Sequence, residues 1–250
     1  MTTFDIKCYS LFIGGVVMSK KNLIITLSCV AGGLFVVFAV IMAIVLANGN
    51  AALPVDTAVA NWAYDIRGDK GNFVYWFFRI ITEFGYTYVT VAIILIMAIV
   101  WRFKVKTWFL GVPVLAAWAL HKVIKWIVNR PRPDETMWWM TETSSSFPSG
   151  HSNTVACLFG LIIFFIIISP VLKTWLKWLL CSLSGIVIIL VPLSRIILGM
   201  HYFTDVLAGL CFGGMCALIG ILLYVSLVKN KQQKEAQNTI EPQQIEASKE

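Results

Sequence analysis

Three short polar clusters carry the residue types in this chain that could do chemistry. The first is Lys125 with Arg130 and Arg132, the arginines set among Pro131 and Pro133. The prolines hold this exit from an apolar run extended and stop a helix from continuing. A lysine and an arginine on such a turn could clamp a dianion, the guanidinium through its planar fork and the ammonium as a point charge. The second cluster is Pro148-Ser149-Gly150-His151, directly before another apolar run. Its backbone N–H groups are predicted to open a helix, where free donors and partial positive charge favour an anion. Gly150 permits close backbone approach, Ser149 adds a hydroxyl, and His151 stands where it could pass a proton to a leaving oxygen. The third cluster is Ser194-Arg195 followed by His201 and Asp205. In helical geometry His201 and Asp205 are one turn apart on one face. The carboxylate then accepts from one ring nitrogen and leaves the other as an oriented lone pair, the arrangement of an activated nucleophile.

Each cluster alone also has an ordinary explanation. Lys125 and Arg132 fit juxtamembrane cations held by lipid headgroups, and the Ser149-Gly150 turn fits a helix cap. His201 and Asp205 fit a metal site by spacing. Three cations, Lys125, Arg132 and Arg195, would surround that metal with like charge, which favours phosphate instead.

The elements that position these clusters are membrane helices. The 250 residues are 58% hydrophobic and 13% charged, against roughly 45 to 50% and about 25% for a soluble domain. Several apolar runs reach the roughly 20 residues that a spanning helix needs, and no alternating barrel pattern is present. The expected fold class is therefore all-α, a six-transmembrane-helix bundle. Spans are expected at about Leu23–Ala47, Gly85–Trp101, Trp108–Val128, Ser152–Ile168, Leu179–Leu193 and Asp205–Val228. Between the first two, Asn48–Phe84 mixes seven charges with Trp62, Trp76, Phe77 and Phe78. It reads as one or two helices lying along the interface, or as an extramembrane loop packed on itself.

The chain accordingly divides into an N-terminal extension (1–19), a six-span body (20–228) and a polar tail (229–250) whose composition predicts disorder. Met18 before Ser19-Lys20-Lys21 resembles an ordinary start for a membrane protein. Lys20 and Lys21, the Arg102–Lys106 loop, Lys173, Lys177 and Lys229 to Lys234 all fall on one side of such a bundle. The positive-inside rule assigns that side, with both termini, to the cytoplasm, so the three clusters face outward. The net charge of +7 comes from helix ends and short loops rather than a basic tract, which points to anionic lipid and away from nucleic acid.

Five of the six cysteines lie in apolar runs and read as packing residues, without zinc spacing. His121, one turn before Lys125, reads as a satisfied interior histidine or a partner behind the site, and Lys122 can snorkel to the interface. Gly209 and Gly213 have the small-xxx-small spacing of close helix packing.

Six residues separate Lys125 from Arg132-Pro133, and the Pro148–His151 tetrapeptide follows. Five residues then separate Arg195 from His201, and three more separate His201 from Asp205. In this order and at these spacings, the chain resembles the type 2 phosphatidic acid phosphatase superfamily over about residues 20–228. The resemblance implies a lipid phosphatase that acts on a phosphorylated lipid without cofactor or metal. His201 would attack phosphorus and form a phosphohistidine, and Asp205 would orient it. His151 would protonate the departing oxygen and then activate water. Lys125, Arg132, Arg195, Ser149 and the Gly150 backbone would hold the non-bridging oxygens. A neutral His201 and a protonated His151 imply a bell-shaped pH profile. Rival classes are a transporter or channel for an anion or lipid, and an idle lipid-binding scaffold. A transporter has use for the cations but none for an oriented nucleophile.

Overall fold

The computed structural model describes the backbone of residues 19–247 and side chains over 19–227. The expected N-terminal extension, Ser19 excepted, and the tail at 229–250 lie outside the residues described in full. Among the described residues all regular structure is helical: α1 (Lys20–Ala47), α2 (Pro54–Arg67), α3 (Phe73–Ile81), a 3₁₀ turn (Thr82–Gly85), α4 (Thr87–Val100), α5 (Val105–Val128), a 3₁₀ turn (Glu135–Met137), α6 (Gly150–Ile167), α7 (Thr174–Ile197) and α8 (Phe203–Ala247). Five helices are long and apolar enough to cross a bilayer: α1, α5, α6, α7 and the Phe203–Leu227 part of α8.

The sixth crossing differs from the sequence expectation. At about 1.5 Å per residue, the 14 residues of α4 are too short to span alone. Phe73–Gly85 and Thr87–Val100 form a pair bent by 56° that passes the same test together. Phe73–Gly85, part of the segment expected along the interface, is therefore one limb of a bent pair, a broken span or a re-entrant loop. Arg79 and Glu83, the charges that made it look extramembrane, are paired with each other across one helical turn. Of that segment, α2 remains as a separate helix, packed on α7 and α8.

α6 is the central helix, buried from His151 to Ile166 except for two positions, with α5, α7 and α8 packed around it. Its contact with α8 is close because α8 presents glycine. A Cβ on Gly209 would lie 2.5 Å from the Ser149 carbonyl oxygen, and one on Gly213 would lie 2.2 Å from that of Asn153. The small-residue spacing therefore fixes the distance between the helix carrying His151 and the helix carrying Asp205. α1 lies on the other side of α8, where Phe38 meets Phe147 and Phe212. Outward faces are apolar, with Phe35, Val36 and Val40 on α1 and Leu183, Ile186 and Ile189 on α7 exposed. Hydrocarbon satisfies such faces where water would not. At the far end of the bundle Lys177 donates to the carbonyl of Ile167 at 2.8 Å and so caps α6.

Candidate active site

The C-terminal ends of α5 and α7 and the N-terminal ends of α6 and α8 meet at one end of the bundle, which brings the three clusters together. Backbone bonds lock them: Ser146 N–H donates to the Arg130 carbonyl at 2.8 Å, and Ser149 N–H to the Asp205 carbonyl at 3.0 Å. A cavity of about 140 Å³ lies between them, lined by Lys125, Arg132, Glu142, Ser144, Gly150, His151 and His201, with Gly85, Tyr86, Thr87, Trp118, His121, Lys122 and Thr154 completing the wall.

His201 is not on α8. It sits on the turn between α7 and α8, and its approach to Asp205 comes from helix ends, not from helical register. α7 closes in a Schellman arrangement, with Gly199 N–H to Ile196 O and Met200 N–H to Arg195 O, both at 2.9 Å, and Gly199 at φ +71°. His201 N–H also reaches Arg195 O, at 3.2 Å. α8 then opens with Asp205 as the third residue of its first turn, its Oδ2 accepting from Tyr202 N–H at 3.0 Å.

The expected direct bond between the pair is replaced by a bridge. His201 Nδ1 stands 3.6 Å from Asp205 Oδ2, beyond hydrogen-bond range, because Tyr202 N–H and Arg130 hold the carboxylate back. Ser146 Oγ lies between them, 3.3 Å from Nδ1 and 2.5 Å from Oδ2. One proton order satisfies every partner: Nδ1–H donates to Ser146 Oγ, whose own proton goes to Asp205, leaving Nε2 as the lone pair that faces Arg132 Nη1 at 3.3 Å.

The cations are held as firmly. Arg132 donates from Nε to the Ser144 carbonyl at 2.7 Å and from Nη2 to Ser144 Oγ at 3.2 Å, and Nη1 also donates to the Met200 carbonyl. Lys125 Nζ donates to the same Ser144 Oγ at 3.2 Å, which donates on to Glu142 at 3.0 Å. Burial alone would raise the Glu142 carboxyl, but Arg132, Ser144 and Lys125 outweigh it and hold it below the ordinary range. Arg130, fully buried, is spanned by Asp56 and Asp205 at 2.8 and 2.6 Å. The two carboxylates outweigh its burial and raise its pKa.

His151 projects into the cavity with its ring edge-on to Tyr86, centroids 4.7 Å apart. Its Nε2 is buried and has no protein partner. Gly85 leaves room for the ring, since a Cβ there would come within 2.4 to 2.9 Å of its atoms. Of the other expected residues, Ser149 caps α6, its Oγ accepting from Ser152 N–H at 3.4 Å and from Ser152 Oγ at 3.0 Å, and it does not line the cavity. Arg195, 1% exposed, turns toward Thr82 Oγ1 at 3.0 Å, with Nε unpartnered. It too stands outside the cavity lining. His121 has Nδ1 2.6 Å from the Trp118 carbonyl and its other edge against Gly150, an interior histidine that also forms part of the wall.

Ser146, Ser144, Glu142, Asp56 and Gly199 belong to the site but not to the residues singled out by sequence, and Arg130, grouped there with the cations, faces the two carboxylates instead of the cavity. Ser146 carried one available signal, being three residues ahead of Ser149 in the same loop. Asp56 carried none, because the residues it holds lie 74 and 148 positions away.

Burial pushes the His201 imidazolium well below the usual 6.5, and Arg132, Lys125, Arg195 and His151 add repulsion. A neutral His201 is therefore expected well into the acid range. The sign for stability follows: the unfolded chain takes up the proton at 6.5 while the native chain resists it, so this contribution is complete above 6.5 and is lost as pH falls toward the native value. The chain has three histidines, so a ring-labelled sample assigned by single substitutions allows an NMR titration of each. The His201 signals should stay in the neutral position as pH passes down through 6.5; a midpoint at or above 6.5 would contradict the burial argument.

Fold and site together define a multi-pass membrane protein with a cationic, histidine-bearing pocket at one end of its bundle. The chain belongs to the PAP2 superfamily, whose profile matches residues 106–230. It is 32% identical over 205 residues to phosphatidylglycerophosphatase B of Bacillus subtilis (strain 168), covering 80% of this chain and 94% of that protein. A lipid A 1-phosphatase of Rhizobium etli is 31% identical over 125 residues, 46% of this chain and 49% of that one. The crystal structure of a transmembrane PAP2-type phosphatidylglycerolphosphate phosphatase from Bacillus subtilis superposes with a TM-score of 0.63 at 28% identity, covering 76% of this chain and 94% of that chain.

Proposed function

We propose that this membrane phosphatase hydrolyses a lipid phosphate, a monoester such as phosphatidylglycerophosphate or a diphosphate such as undecaprenyl pyrophosphate, through a phosphohistidine at His201. The observation that carries the reading is two imidazoles lining one cavity: His201, whose Nε2 is covered by Arg132 Nη1, and His151, whose Nε2 has no protein partner. An entering phosphoryl group takes the Arg132 and Lys125 donors and thereby exposes the His201 lone pair. Nε2 bonds to phosphorus as the bond to the leaving oxygen breaks, and that oxygen takes the proton from His151. Water then gives a proton to His151 and attacks phosphorus, the P–N bond breaks, and inorganic phosphate leaves. The cations supply the charge stabilisation that phosphoryl transfer chiefly needs, and the scheme uses no metal. Ser149 and Arg195, which stand outside the cavity lining, belong to the scheme only as proposed phosphate ligands, Arg195 with an unpartnered Nε donor.

Thr87 of α4 and Trp118 and Lys122 of α5 line the cavity, which supports sideways approach of an amphiphilic substrate between these helices. The lysine-rich helix ends lie at the opposite end of the bundle, which supports cytoplasmic termini and an extracytoplasmic site.

Purified protein is expected to release phosphate from at least one of phosphatidylglycerophosphate, undecaprenyl pyrophosphate and phosphatidic acid, assayed side by side in detergent. His201→Ala should abolish release and the acid-labile, alkali-stable phosphoenzyme. In sealed vesicles a membrane-impermeant phosphate ester should be cleaved only from the side opposite the C-terminal tail. Undiminished release by His201→Ala would refute the nucleophile, and a protein that moves phosphate across vesicles without cleaving it would be a transporter.

A further inference from the structure

Behind the reacting groups lies a buried ion triad, of which the reaction scheme uses Asp205 but neither Asp56 nor Arg130. Asp56 on α2, Arg130 in the loop after α5 and Asp205 on α8 all have fully buried side chains. The five N–H donors of Arg130 are all taken: Nη1 by Asp205 Oδ1 at 2.6 Å and Thr204 Oγ1 at 2.9 Å, Nη2 by Asp56 Oδ2 at 2.8 Å and Ala51 O at 2.9 Å, and Nε by Asn50 O at 3.3 Å. The guanidinium plane is further fixed over the Tyr202 ring at 4.3 Å. Arg130 thus has nothing left to offer a phosphate, unlike Arg132 two residues on. Asp56 is equally committed, accepting from Thr204 N–H and Thr204 Oγ1 at 2.9 Å and from Leu53 N–H at 3.1 Å.

We propose that Arg130, braced from behind by Asp56, is a positioning residue that sets the Asp205 carboxylate with Oδ1 turned away and Oδ2 turned toward Ser146 and His201. This rests on the phosphohistidine reading above. α2 is then a working part of the active site although it lies outside the residues matched by the superfamily profile. Two effects follow from the arrangement. Orientation is the first, because a fixed guanidinium that gives Nη1 to Asp205 Oδ1 and Nη2 to Asp56 Oδ2 ties one oxygen of each carboxylate to a single rigid plane. Charge is the second. Asp56 and Arg130 cancel, so one net negative charge remains at Asp205 to support the positive charge that His201 acquires when its Nε2 bonds to phosphorus. Without the Asp56 charge the triad would be neutral, and Asp205 would be drawn to Arg130 at the expense of His201.

The test uses the full-length protein in detergent, with wild type and His201→Ala alongside. Arg130→Lys keeps the charge but replaces five fixed donors by three on a flexible stem. It is expected to lower kcat by about 10²-fold while KM stays within about three-fold, since no group that touches substrate is lost. Asp56→Asn keeps the shape and removes the balancing charge. It is expected to lower kcat by about ten-fold and to move protonation of His201, read by ring NMR, to lower pH. The other groups facing that ring, Ser146, Arg132, Lys125 of α5, Arg195 of α7 and His151 of α6, are untouched by the substitution. If Arg130→Lys does not fold, Asp56→Asn decides. A kcat within about three-fold of wild type in whichever folded variants are obtained, a loss confined to KM, or an unmoved His201 titration in Asp56→Asn overturns the positioning role. Phosphate release that survives in His201→Ala overturns the phosphohistidine reading instead, so the two failures are distinct.

Discussion

His151→Gln is expected to lower release of phosphate from an alkyl phosphate lipid by about 10² to 10⁴-fold, the usual worth of a positioned acid–base group. The geometry gives the loss a specific shape. The His151 Nε2 is buried with no protein partner, and Gly85 and Tyr86 hold the ring in place, so its function is toward whatever fills the cavity. In the proposed scheme it protonates the leaving oxygen in the first half-reaction and deprotonates water in the second. Glutamine preserves much of the shape and can do neither. A substrate whose leaving group departs as a stable anion, such as p-nitrophenyl phosphate, no longer needs the acid but still needs the base. His151→Gln should therefore release one equivalent of nitrophenol in a burst and then stall as a phosphoenzyme, with His201→Ala showing no burst. Rapid-mixing absorbance with phosphoenzyme trapping checks this. A slow steady rate without a burst would remove His151 from the second step.

The three clusters were legible in the sequence because their chemistry depends on spacing. Cations at a helix exit, donors at a helix start and a histidine ahead of a carboxylate each occupy one contiguous stretch, and the apolar runs between them fix which end of the bundle they share. The register of His201 against Asp205 was not legible. Spacing placed His201 and Asp205 one turn apart on a helix, whereas His201 rides a turn closed by Gly199 and reaches Asp205 through Ser146. Ser146 comes from the loop before α6, so its part depends on the packing of α6 against α8, which no local pattern specifies. Asp56 is the extreme case, an ordinary first-turn aspartate by sequence that folding delivers to Thr204 148 positions away. The bend that joins Phe73–Gly85 to α4 was hidden for a similar reason. Arg79 and Glu83 looked like two charges that exclude a segment from the bilayer, and pairing with each other reduces that cost.

Gly199→Ala is expected to cost both stability and activity, although it adds a single carbon. At φ +71° any side chain meets the left-handed penalty of about 1 to 2 kcal/mol. The added Cβ would also lie 2.1 Å from the Met137 carbonyl oxygen and 2.8 Å from its carbon, and backbone cannot turn aside as a flexible side chain can. The Glu135–Met137 turn would have to move, breaking the 2.6 Å bond from Arg67 Nη1 to that same oxygen. Displacement at Gly199 reaches His201, the proposed nucleophile, directly, since Met200 and His201 hang by their N–H groups from Arg195 O and Met200 O anchors Arg132. A shift of about 1 Å at a reacting group can cost about 10² in rate, so kcat/KM should fall by about that factor, with a lowered unfolding temperature. Gly185→Ala provides the control: it lies within α7 with no atom within 4 Å of its Cβ position, where alanine should be neutral or stabilise the helix by about 0.5 to 1 kcal/mol. Thermal unfolding and phosphate release on the two variants separate the cases, and a Gly199→Ala protein that behaves like Gly185→Ala would show that the turn does not hold His201 in place.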